Sequence, residues 1–210
     1  MIRKLLVPTD FSPQALNALK AAAQLAKRYD ADIYLLHLLE LPEVLIDGPS
    51  TQRKSALPEE LFYMKLAHKK FQDMLNLPFL EGINVHETAE FDGAFEGIMT
   101  YVKKYEIDAI IMGSHGTSGI EELFIGSNTE KVVRHSEIPV FVIKNEMGDF
   151  HIKNFVFATD FQSDNIDALN QAIKFTKAEE AQLHILYVNT PNRFKTTAEI
   201  TDLYADFMVN

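Results

Sequence analysis

The sequence predicts an α/β fold, an open parallel sheet with helices on both faces, and three observations carry that prediction. Short apolar, strand-like runs alternate with segments of helical period from the N-terminus to about residue 144. Polar turns follow those runs after Val7 and after Met112, at the strand ends where open sheets hold their ligands. The composition is that of a globular chain: 210 residues, 47% hydrophobic and 24% charged.

The elements follow in order. "IRKLLVP" (2–8) is a buried strand ending in Pro8, Thr9 and Asp10. Ser12 and Pro13 then give a hydroxyl cap and a proline at the first helical position. Leu16, Leu19, Ala22, Ala23 and Ala26 repeat with a helical period, and "DIYLLHLL" (32–39) closes a βαβ unit. Residues 41–57 read as a polar surface loop, with a helix from about Pro58 that carries Leu61, Phe62, Leu66 and Phe71. "GINVHETAE" (82–90) reads as the third strand, and Asp92 precedes a helix with Phe95, Ile98, Met99 and Val102. "DAIIMG" (108–113) is the fourth strand, 126–136 a helix, and "PVFVIK" (139–144) the fifth strand. Right-handed crossovers leave few topologies, but one sequence does not order the strands.

Shifted by 150 residues, the chain meets itself without a gap: "TDF" at 9–11 falls on "TDF" at 159–161. Ala18, Leu19, Ala22, Lys27, Ala31 and Leu36 fall on Ala168, Leu169, Ala172, Lys177, Ala181 and Leu186. The expected organisation is therefore a complete domain over 1–147, a linker over 148–153 and an incomplete second copy over 154–210. A two-stranded fragment buries little surface. The second copy is thus expected to pack on the first domain or another chain, or to continue in a longer natural protein.

The net charge of −10 argues against a nucleic-acid or anionic-membrane partner, since both need a basic patch. No apolar run approaches the roughly 18 residues that span a bilayer. The N-terminal apolar run is too short for a secretory signal. Cysteine is absent, which fits a cytoplasmic protein. The seven histidines show no zinc-ligand spacing, and no nucleophile comes with a positioned base.

The chemistry concentrates in "IMGSHGTSGIEELFIGSNTEKVV". Glycines let backbone N–H groups approach a phosphate, and a helix N-terminus adds unpaired donors and partial positive charge. Gly113 and Gly116 would bring one loop to the ligand, with Gly126, Ser127 and Asn128 arriving from the other side. Ser127 and Glu130 have capping-box spacing, which sets the helix start at Ser127. The spacing is neither the G-x-G-x-x-G dinucleotide fingerprint nor a P-loop. On physics alone, a ligand loop and a purely structural turn both fit.

With G-x-x-G, nine residues and G-S over 113–127, and with "VPTD", "IIMGSHG" and "EKVVRHSEIPVFVI", the chain resembles the universal stress protein family. The resemblance covers 1–145 in full and 154–190 as the start of a second family domain. It implies strand order 3-2-1-4-5, with ATP or another adenine nucleotide between strands one and four. By the same resemblance Pro8, Thr9 and Asp10 line the adenosine side and Leu38 offers backbone contacts to the base. Met112, Gly113 and Gly116 cover ribose and phosphates, and Gly126, Ser127 and Asn128 hold phosphates. His115, inside the loop, could donate to a ligand or simply face solvent. Asp10 could also help hold a magnesium ion, or serve only as a turn carboxylate. The resemblance further implies a homodimer through 139–144, an apolar edge that needs a partner. Thr117, Glu121 and Glu122 stand where the family often places basic residues. The expected function is stress-response regulation by nucleotide binding. The alternatives are a nucleotide-free interaction module and a slow ATPase.

Overall fold

The computed structural model describes residues 2–40, 50–115 and 125–209. It forms two compact units, 1–150 and 151–210.

In the first unit, β1 (Lys4–Pro8), β2 (Asp32–Leu39), β3 (Val85–Phe91), β4 (Ala109–Gly113) and β5 (Val140–Ile143) form one parallel sheet in the order β3-β2-β1-β4-β5. Alternation along the strands sends Leu6, Leu36, Ile110 and Met112 to one face. There they join Ile98, Tyr101 and Val102 of α3 (Ala94–Tyr105) and Val132 of α4 (Ser127–His135) in one buried cluster. The opposite face carries Leu5, Val7, Leu35 and Ile111, all fully buried. It is served by α1 (Pro13–Tyr29), whose small Ala18, Ala22 and Ala26 allow close packing. No helix among the described residues is long and apolar enough to cross a membrane.

Helix α1 begins as its sequence predicts. Ser12 Oγ accepts from the Ala15 N–H at 3.2 Å, Pro13 occupies the first turn, and Asp30 closes the helix in the left-handed region. Three expectations change. The second helix, α2 (Ser50–Leu75), starts eight residues before Pro58 and encloses it. The proline forfeits one backbone hydrogen bond, and "STQRKSAL" ahead of it contains no further breaker. Strand β3 begins at Val85 rather than 82, because a short turn at Pro78–Leu80 and Gly82 at φ +80° use up the residues before it. The capping box does not form: Gly126 is the cap residue, Ser127 is already helical, and no side chain caps the helix.

The second unit holds β6 (Asn154–Ala158), α5 (Ile166–Ala178), β7 (Gln182–Leu186) and α6 (Thr197–Val209). Its register, Asn154 opposite Gln182, is that of Lys4 opposite Asp32 shifted by 150 residues. The "TDF" turn repeats in detail. Thr9 and Thr159 each accept the N–H of the phenylalanine two residues on, at 3.0 Å. Asp10 and Asp160 accept from Ser12 and Gln162 at 3.0 and 3.2 Å. Phe11 and Phe161 both sit in the left-handed region, at φ 64° and 62°. Gln162 lacks the hydroxyl of Ser12, and a short turn over Ser163–Asn165 precedes α5 in place of a side-chain cap.

Val156, Leu186 and Val188 are 58%, 46% and 65% exposed, whereas Leu6 and Leu36, their counterparts of Val156 and Leu186 in the first unit, are buried. Phe150, inside the expected linker, is buried as well; its N–H donates to Gln24 Oε1 at 2.6 Å and its ring meets Phe141.

Candidate functional site

Beyond the carboxyl ends of β1, β2 and β4 lies an open cavity of about 420 Å³. Pro8, Thr9, Asp10, Leu38, Met112, Gly113, His115, Gly126, Ser127 and Asn128 all line it. Gly116 lies outside the described residues, as do Thr117, Glu121 and Glu122. The residues expected from sequence at two distant places in the chain therefore come together.

The first wall is the Thr9–Phe11 turn. The Thr9 N–H donates to the Leu36 carbonyl at 2.8 Å, and the Thr9 carbonyl accepts from His37 Nδ1 at 2.7 Å. A carbonyl only accepts, so Nδ1 carries a proton. Burial pushes the His37 pKa below its ordinary 6.5. The Thr9 bond and Asp10 pull it back up, while Lys70 adds to the lowering. Phe11 pays for its left-handed backbone by packing on His37 at 4.4 Å and on Phe71 of α2 at 5.2 Å, with Lys70 over its ring at 4.8 Å. Asp10, through its bond to Ser12, serves as a turn carboxylate.

The second wall joins β4 to α4. The Gly126 N–H donates to the Ser114 carbonyl at 2.8 Å, so the chain leaves the sheet after His115 and returns beside the point it left. Thr129 Oγ1 donates to the Gly113 carbonyl at 3.0 Å and pins the start of the helix to the strand. The first intrahelical bond runs from the Glu130 N–H to Gly126. The N–H groups of Ser127 and Asn128 thus belong to the first turn, which leaves its donors without intrahelical partners. Ser114 Oγ lies 3.0 Å from His115 Nδ1, and His115 Nε2 is buried without a hydrogen-bond partner among the described residues.

Gly113 lines the cavity and has a further duty beside the expected one. A Cβ there would lie 3.0 to 3.2 Å from Gln14, mostly its backbone, so this glycine lets α1 approach β4. At Gly126 a Cβ would meet only ordinary contacts.

Sequence reasoning missed Glu40, Ala94, Ile98 and Thr129, which also line the cavity. Glu40 lies two residues beyond Leu38, hence on the same side of an extended chain, and that spacing was readable. Thr129 closes the "GSNT" run and was equally visible. Among the described lining residues the charged side chains other than histidine are Asp10 and Glu40, with no lysine or arginine.

Comparison with known proteins follows this geometry. The model of the universal stress protein family matches residues 1–144. Universal stress protein MJ0577 of Methanocaldococcus jannaschii is 32% identical over 157 residues, which cover 70% of this chain and 97% of that protein. Its solved structure superposes with a TM-score of 0.61, covering 68% of this chain and 96% of that one. UspA of Lactobacillus plantarum gives a TM-score of 0.55 at 27% identity, over 67% of this chain and 97% of its own. A universal stress protein of Archaeoglobus fulgidus shares the fold over 98% of this chain and 72% of its own, with a TM-score of 0.60 and 22% identity.

Proposed function

The chain belongs to the universal stress protein family, and from that premise we propose that it is a stress-response regulator binding ATP or another adenine nucleotide between β1 and β4. The observation that carries this reading is the uncapped start of α4, Gly126–Asn128, opening on the cavity. Unpaired N–H groups with the positive end of a helix dipole suit a phosphate. The volume is in the range of small-molecule sites. Leu38 would meet the base, Pro8, Thr9 and Asp10 the adenosine, and Met112 and Gly113 the ribose. His115 would add a donor to the phosphates. Asp10 would share a magnesium ion with them.

The activity is binding, with occupancy selecting between states that differ in affinity for the nucleotide. We read residues 154–210 as the start of a second family domain. The outer edge of β5, the last strand of the sheet among the described residues, would be the surface for pairing two copies. The absence of cysteine suits a cytoplasmic setting.

The test is to denature freshly purified protein and chromatograph the small molecules released, with Gly126→Val alongside. Valine is compatible with the cap backbone, φ −59° and ψ 146°, and puts a branched side chain at a residue that lines the cavity. Stoichiometric adenine nucleotide, lost in the variant, is the expected result. A protein that arrives empty and takes up no added nucleotide would refute the reading.

A further inference from the structure

The electrostatics of the cavity bear on which nucleotide it takes. Asp10 and Glu40 line it, and no lysine or arginine does so among the described residues. The loop that leaves at His115 and returns at Gly126 reads "GTSGIEELFI" over 116–125: two carboxylates and no cation at any position. Whatever path that segment takes, it has no positive side chain to bring to a phosphate tail. The donors that remain are the Ser127 and Asn128 N–H groups, with roughly half a positive charge from the helix, and His115. The whole molecule adds to the same sign, with a net charge of −10.

A nucleoside monophosphate brings about two negative charges at neutral pH, and each further phosphoryl group adds about one. One helix N-terminus matches a single phosphate. The extra charges of a triphosphate would lie within about a Debye length of two carboxylates, with no lysine or arginine among the described lining residues to offset them. Resting on the nucleotide reading above, we infer that the site selects an adenine nucleoside monophosphate over the free triphosphate, and accepts the triphosphate only as its divalent-cation complex. Asp10 is the residue that would share that cation. Glu40 is a specificity-determining residue, because its carboxylate raises the cost of every added phosphate charge.

Two additional charges near two carboxylates, at a dielectric between water and protein surface, cost on the order of tenfold in affinity. Calorimetric titration of the full chain with AMP, ADP and ATP, in EDTA and again in excess magnesium, reads this directly. In EDTA the affinities should fall from AMP to ADP to ATP, by about tenfold overall. Magnesium should restore ATP and leave AMP unchanged. Glu40→Gln, a change at an exposed side chain, should tighten metal-free ATP more than AMP. ATP binding in EDTA as tightly as AMP would overturn the selectivity. Failure of magnesium to restore ATP would overturn the cation requirement. Absence of binding by any of the three, with or without magnesium, would instead refute the nucleotide reading on which the inference rests.

Discussion

Thr9 is bound to β2 through both its backbone groups, the N–H to the Leu36 carbonyl and the carbonyl to the His37 ring. One residue thereby fixes the distance between the turn that carries Asp10 and the strand that carries Leu38. The His37 pKa is lowered in the folded chain, with burial as the largest cause. The unfolded chain therefore binds more protons below the ordinary value of 6.5. The stability from a neutral His37 is complete above that pH and declines as pH falls toward the lower folded value. Thermal melting at pH 7.5 and 5.5 should show a larger loss for the natural chain than for His37→Gln. Equal losses would remove His37 from this role. His37 was visible in the sequence only as one of several scattered histidines, because its partner is a backbone carbonyl 28 positions away.

Among the elements, β1, α1 and β2 were legible because each boundary has a local chemical cause: Pro8, the Ser12–Pro13 cap, and the turn at Asp30. The start of α2 was not, because a proline reads as a helix start whether or not helix precedes it. The role of Gly113 was hidden for a similar reason. Its neighbour is the backbone of Gln14 on another element, and spacing along the chain carries no sign of it. In both units the left-handed phenylalanine is covered by one ring from the second strand or the residue just after it and one from the next helix. Phe161 packs on Tyr187 at 5.4 Å and Phe207 at 5.6 Å, as Phe11 packs on His37 and Phe71. His37 and Tyr187 obey the 150-residue shift, while Phe71 and Phe207 do not. Helix α6 thus does for its turn what α2 does for the first. Phe207→Ala should cost about 3–5 kcal/mol locally. Hydrogen exchange should then show lost protection in β6 and β7, with β1 and β4 unchanged and nucleotide affinity intact. Unaltered exchange in the second unit would contradict this account of α6.

At the scale of the whole molecule, the sheet order and the convergence of two loops on one cavity follow from the alternation of strands and helices together with the family resemblance. Pattern alone left the order open, since it depends on which edges pair and not on any single segment. The outer edge of β5 leads us to expect a dimer in sedimentation at micromolar concentration; a monomer would discard that edge as an interface. The central claim is that the first turn of α4 receives the phosphate. Backbone amide spectra of the isotope-labelled chain, recorded while AMP is added, test it most directly. The account predicts saturable shifts at Gly126, Ser127, Asn128 and Leu38. Saturable binding that leaves Gly126–Asn128 unshifted would contradict it.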